Sequence, residues 1–213
     1  MFKPIKFPNL LLQGYELSYR YENQLIFNNI NLSITNNICI VLKGPNSSGK
    51  TTLLKILSGQ LKPYTGNIYY NNINYNDLFP QYYSTFIYLT TAQTSIIANS
   101  LFEQFTNTIK LFNDYTLSLS LVWKVLSVFN LNKKSLKSLK ELSFGTLQRL
   151  KLSTLIASIR PIWILDEPLL GLDAEGQEVF IKLLEQHLTI GGCAIIATHT
   201  DFFIPNSTLQ VTL

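Results

Sequence analysis

Eight consecutive residues, Gly44-Pro45-Asn46-Ser47-Ser48-Gly49-Lys50-Thr51, are the part of the sequence best suited to chemistry. They fit the pattern G-x-x-x-x-G-K-[ST] in full, after the β-rich run ICIVL and before the helical run TLLKILSG. In a strand, loop and helix of this kind the backbone N–H groups turn inward toward anionic oxygens, backed by the positive end of the helix dipole. Lys50 adds a point charge suited to the β- and γ-phosphates of a nucleotide, and Thr51 a hydroxyl suited to magnesium. The alternative is an unrelated strand and turn that matches by chance, and the flanking runs weigh against it.

The second constellation is Ile162-Trp163-Ile164-Leu165-Asp166-Glu167-Pro168. An apolar strand ending in an acid carries that acid rigidly to the C-terminal edge of a sheet, where ligands bind. Asp166 is placed to hold magnesium, and Glu167 to orient or deprotonate an attacking water. Taken alone, the same stretch is a strand that ends at two solvated acids.

The elements that must position these groups follow from periodicity. Residues 11–43 read as strands, 66–70 and 85–89 as further strands, and 162–165 and 194–197 as buried strands. Helical spacing recurs at Leu101, Phe105, Ile109 and Phe112, then at Leu117, Leu121, Val125 and Phe129. It returns at Leu147, Leu150, Leu152 and Leu155, and again over 174–188; residues 133–140 read as a polar helix or linker. Alternating strands and helices around a helical insertion near 95–141 predict an α/β fold with a mainly parallel core. Residues 1–213 read as one domain.

Composition bounds the function. The 213 residues are 46% hydrophobic and 14% charged with net charge +4, a globular balance with no lysine-rich tail, so nucleic-acid binding is not implied. No apolar stretch approaches the roughly 20 residues of a membrane-spanning helix, and the N-terminal residues, with a short apolar part and no small-residue cleavage site after it, do not read as a signal peptide. Cys39 and Cys193 lie in separate apolar runs, as buried and reduced strand residues. Lysine far outnumbers arginine and Asn, Ile, Tyr and Phe are abundant, which suggests an AT-rich genome, organellar or bacterial.

Between the two constellations lies Leu142-Ser143-Phe144-Gly145-Thr146-Leu147-Gln148-Arg149-Leu150. Ser143 alone is a good helix cap. The whole stretch resembles the signature motif of ATP-binding cassette (ABC) proteins, commonly LSGGQ. Gly171-Leu172-Asp173 looks like that family's D-loop and Ala197-Thr198-His199 like its switch histidine. The resemblance covers essentially the whole chain in order. It implies a P-loop NTPase core with an N-terminal antiparallel β-subdomain and an inserted α-helical subdomain. It also implies that ATP and Mg2+ are bound between two cassettes paired head to tail. Gly44, Pro45, Asn46, Ser47, Ser48, Gly49, Lys50, Thr51 and Thr52 of one copy would hold the nucleotide against Ser143, Gly145 and Asp173 of the other. Glu167, His199 and Lys50 would carry the hydrolysis, with Thr51, Asp166 and Gln93 at the metal. Tyr21 would lie under adenine, its alternative being a plain strand-face aromatic; His187, on a polar helix, is read as structural. Phe144, Thr146 and Ser47 depart from the common Gly, Gln and Gly of the family. Gln93 is the candidate for the family's Q-loop glutamine, although a gap-free comparison puts Ala92 there.

Within the family, RPIWILDEP with the downstream THTD resembles the ATP-binding subunit of the cytochrome c maturation system. That resemblance implies docking on a separate integral membrane transporter subunit, partly through the stretch 96–112. It implies a peripheral location at the matrix side of the mitochondrial inner membrane, or at the cytoplasmic side of a bacterial inner membrane. An ATPase subunit of another exporter and a non-transport ABC ATPase are the competing readings. A binding-only module is disfavoured because Glu167 and His199 are both present.

Overall fold

The computed structural model describes residues 6–78, 85–90, 98–112, 117–134, 137–202, 204, 205 and 207–213. The strands are β1 (Leu11–Tyr21), β2 (Gln24–Thr35), β3 (Cys39–Lys43), β4 (Thr65–Tyr70), β5 (Ile73–Asn74), β6 (Phe86–Thr90), β7 (Ile162–Asp166), β8 (Cys193–Ala197) and β9 (Thr208–Thr212). The helices are α1 (Lys50–Leu57), α2 (Leu101–Phe112), α3 (Leu119–Val128), α4 (Phe144–Ser158) and α5 (Ala174–Thr189). The chain divides into two units, residues 1–88, 160–167 and 184–213, and residues 89–159 and 168–183.

One sheet has the order β6-β7-β8-β3-β9, with parallel pairing along β7, β8, β3 and β9. Every residue of β7 and β8 is buried, which is why IWILD and CAIIA read as continuous apolar runs. The register sets Leu42 opposite Ala197 and Ala197 opposite Asp166. The phosphate-loop pattern, the acidic pair and His199 therefore leave the sheet at one edge, the C-terminal ends of three parallel strands. α1 packs on this sheet through the fully buried Leu53, Leu54, Ile56 and Leu57.

The other sheet is antiparallel, in the order β2-β1-β4-β5, as the family resemblance implies for the N-terminal region. Its register shifts between Gly14 and Leu17, where Glu16 has a positive φ of 51°.

In the second unit, α2 buries Leu101, Phe105 and Ile109 on one face, as the helical spacing predicts, whereas α3 buries Val122, Val125 and Leu126. Of the predicted Leu117, Leu121, Val125 and Phe129, only Val125 and Phe129 are buried, and Leu117 and Leu121 are half-buried. Both pack on α4. The region read as a polar helix or linker holds two short 3-10 turns, at Asn132–Lys134 and Leu139–Glu141, among its described residues.

Two further features differ from the sequence reading, besides the short strand β5 and the face of α3. β9 was not predicted: its five residues are too short, and too polar on the exposed side, to show a periodic signal. Yet it extends the sheet beside β3, from Cys39 opposite Thr208 to Lys43 opposite Thr212. The expected polar surroundings of His187 are also corrected. It is buried, with its ring stacked 3.8 Å from the Trp163 indole at an interplanar angle of 12°. A lone His in a polar helix turn gives no hint that a tryptophan on β7 will cover it.

Candidate nucleotide-binding and catalytic site

Gly44 leaves β3 with φ 148°, and Gly49 caps α1 with φ 97°, both in the half of backbone space that side chains avoid. A Cβ on Gly49 would lie 2.8 Å from both Ile26 and Phe27, and one on Gly44 2.7 Å from the Leu213 carbonyl oxygen. The loop can therefore curl tightly only with glycine at both ends. Ser47, where the family commonly has glycine, also adopts a positive φ of 66°. Lys50 is buried, and its ammonium donates 2.8 Å hydrogen bonds to the carbonyls of Gly44 and Pro45. The Ser48 hydroxyl is buried and has no hydrogen-bond partner among the described residues. A cradle with a folded-in cation and an orphaned hydroxyl fits an anionic, oxygen-rich ligand.

Opposite the loop, Thr51 Oγ1 donates a 2.8 Å hydrogen bond to Asp166 Oδ2. Burial raises the Asp166 pKa above the usual carboxylate range, partly offset by the Thr51 hydrogen bond. Among the described residues no group of three His, Cys, Asp or Glu could hold a metal. A hydroxyl and one carboxylate are instead the hard-oxygen set that suits magnesium when phosphate oxygens and water complete its shell.

Glu167 has φ 50°, a strained value for a side chain of this kind, fixed by its N–H donating to the Ala197 carbonyl at 2.8 Å. Its Oε2 accepts from the Thr198 hydroxyl at 3.2 Å and the His199 N–H at 3.3 Å. Its buried Oε1 has no hydrogen-bond partner among the described residues, and His199 Nε2 lies 3.6 Å from it. One carboxylate oxygen is thus anchored and the other left available for a proton. Lys43 ties the loop after His199, donating to Asp201 at 2.7 Å and to the Thr200 carbonyl at 3.2 Å. Sequence reasoning gave Thr198 and Lys43 no role; a threonine before a strand-end histidine was the available signal for the first.

In the second unit Ser143 caps α4, its hydroxyl accepting from the Thr146 N–H at 3.3 Å and meeting the Thr146 hydroxyl at 2.9 Å. Asp173 caps α5 by accepting from the Gly176 N–H at 2.9 Å, and it pairs with Arg149. The Gly176 hydrogen bond and the Arg149 charge hold its pKa below the usual carboxylate range. Gly145 lies close to Gly171, as an added Cβ would come 2.5 Å from the Gly171 oxygen. Tyr21, at the end of β1, is 66% exposed. Gln93 and Ala92 lie outside the described residues. The structure therefore brings Lys50, Thr51, Asp166, Glu167 and His199 together in the first unit. It brings Ser143, Gly145 and Asp173 together in the second.

These features define a nucleotide-binding α/β ATPase fold. The fold is shared with an ABC transporter ATP-binding protein from Pyrococcus furiosus, with TM-score 0.76 and 24% identity over 94% of this chain and 96% of that one. It is shared as well with the ATP-binding cassette MJ0796, solved as a dimer bound to ADP and Pi, with TM-score 0.74 and 21% identity over 89% and 88%. Residues 27–170 match the family model of the ABC transporter. The cytochrome c biogenesis ATP-binding export protein CcmA of Reclinomonas americana is 34% identical over 89% of this chain and 85% of its own. ABC transporter I family member 1 of Arabidopsis thaliana is 31% identical over 94% and 86%. The chain belongs to the ABC transporter family.

Proposed function

We propose that this chain is the ATP-hydrolysing subunit of a cytochrome c maturation export complex and energises a separate membrane-spanning subunit. Similarity along most of the chain to several cytochrome c biogenesis ATP-binding export proteins supports the assignment to that system. The observation that carries the catalytic reading is Glu167, next to Asp166, with one oxygen fastened by Thr198 and His199 and the other without a hydrogen bond among the described residues, 3.6 Å from His199 Nε2.

Lys50 and the backbone N–H groups of residues 46–51 bind the phosphates, with Gly44 and Pro45 shaping the turn, and Tyr21 supports the base. Thr51 and Asp166, with Gln93, hold magnesium, whose charge offsets that of the phosphate oxygens. Glu167 Oε1 takes a proton from the attacking water, and His199 orients the γ-phosphate and that water. ATP binding pairs two copies, so that Ser143, Gly145 and Asp173 of one complete the site of the other; the MJ0796 dimer supports this geometry by fold. The helix N-terminus capped by Ser143 is a ready anion site. AT-biased residue usage fits a peripheral place on the matrix side of the mitochondrial inner membrane and equally on the cytoplasmic side of a bacterial inner membrane.

The test is Glu167→Gln. The variant is expected to bind ATP with parental affinity while turnover falls by about 10²–10⁴-fold, the usual worth of a general base. Turnover at the parental rate would remove Glu167 from the mechanism. Affinity capture of the intact chain from its own membranes, with identification of the spanning subunit, tests the assignment to cytochrome c maturation.

A further inference from the structure

The face of α4 that carries Gly145, Gln148 and Arg149 grips the segment 168–176 at three points. These residues lie three and four positions apart and so share one side of the helix. At the first point the Phe144 ring rests against Gly171, whose φ is 78°; a side chain at Gly145 would collide with the Gly171 carbonyl, and one at Gly171 with the Phe144 ring. At the second, the buried Gln148 donates through Nε2 to the Pro168 carbonyl at 2.9 Å. At the third, Arg149 pairs with Asp173, lies 3.3 Å from Glu175, and donates to the Phe129 carbonyl at 3.1 Å. Asn130 holds Glu175 from its other side at 2.9 Å.

We propose that Phe144, Gln148 and Arg149 are positioning residues, which make Ser143, Gly145 and Asp173 one rigid element presented to the second copy. The inference rests on the paired reading above. Phe144 is the distinctive part: where the family commonly has glycine, this chain spends a half-exposed aromatic ring on pinning a left-handed glycine. Anchored this way, a ligand at Ser143 and the placement of Asp173 cannot vary independently. A binding event at one end of the element therefore fixes the other.

The experiment uses the full chain with Phe144→Ala and Arg149→Met, the first at a half-exposed position so that folding is retained. ATP affinity at the phosphate loop, read with a fluorescent analogue, is expected to stay within about twofold, while kcat falls by about tenfold or more, the scale of a small misplacement of trans groups. Arg149→Lys, which keeps the charge without the fork, is expected to fall between parent and Arg149→Met. Amide exchange over 169–176 is expected to accelerate by about tenfold in both variants. In a Glu167→Gln background, sedimentation reads ATP-driven dimers, which both variants weaken. If Glu167→Gln alone stays monomeric with ATP, the paired reading falls, and the exchange rates still judge the fastening. Parental kcat together with parental exchange in folded Phe144→Ala and Arg149→Met overturns the proposal.

Discussion

Thr51 Oγ1 and Asp166 Oδ2 share a 2.8 Å hydrogen bond across 115 positions of sequence. α1 starts one residue before Thr51 and β7 ends on Asp166, so each oxygen is delivered by the rigid end of an element. Thr51→Ala removes one of the two oxygens that meet here. The magnesium concentration giving half-maximal ATPase activity is expected to rise by about tenfold or more, with Thr51→Ser close to the parent. A magnesium titration of phosphate release checks this, and an unchanged midpoint for Thr51→Ala rejects the metal assignment.

Lys50 offers the ammonium that is buried in the loop, 2.8 Å from two of its carbonyls. Lys50→Ala is expected to lower the rate of ATP hydrolysis by about 10²–10³-fold, because a preorganised charge on the transferring phosphate is lost. Lys50→Arg is not expected to restore it, since the longer planar fork cannot occupy the same turn. Steady-state phosphate release measures both.

The candidate site was largely legible in the sequence because its groups are local. The loop glycines, Lys50 and Thr51 fall within eight residues, and Asp166 and Glu167 are adjacent at the end of an apolar run. The parallel core was legible for the same reason, since buried parallel strands write continuous apolar text. What escaped depends on partners distant in sequence. β9 exists because β3 offers it a ladder. Thr198 matters because Glu167, one residue past the end of the neighbouring β7, lies across from it. His187 is buried because Trp163, Phe7 and the small Gly192 make a place for its ring.

Burial lowers the His187 pKa from 6.5 to about 4, since the charged form is poorly solvated, and the Cys193 and Pro161 carbonyls that meet Nε2 offset only part of that. The unfolded chain takes up this proton as pH falls through 6.5, and the folded chain only near 4. Stability is therefore expected to fall with acidification inside that window, by about 2 kcal/mol between pH 7.5 and 5. Asp166, whose pKa is raised, works weakly the other way. Urea unfolding at the two pH values, compared with His187→Gln, measures the difference. An equal loss in His187→Gln refutes the attribution.

Gly192 and Gly191 are neighbours with different reasons to be glycine. A Cβ on Gly192 would collide with the His187 ring, while one on Gly191 meets Asn36 Nδ2 at 3.3 Å in a backbone with φ 93°. Gly192→Ala is expected to cost about 2–3 kcal/mol by overpacking, and Gly191→Ala about 1 kcal/mol through the left-handed backbone. Denaturant melts of the two variants give the order directly, and the reverse order contradicts the packing described for His187.

The chain has two tryptophans, one in each unit. Trp163 is 4% exposed and lies flat on an imidazole, whereas Trp123 is 39% exposed beside Phe102. The molecule thus carries two native optical probes in unlike surroundings. A Trp123→Phe chain reports by fluorescence on the phosphate-loop unit alone, and Trp163→Phe on the helical unit. Whether ATP tightens the two together or one at a time can then be read in solution without attaching a dye.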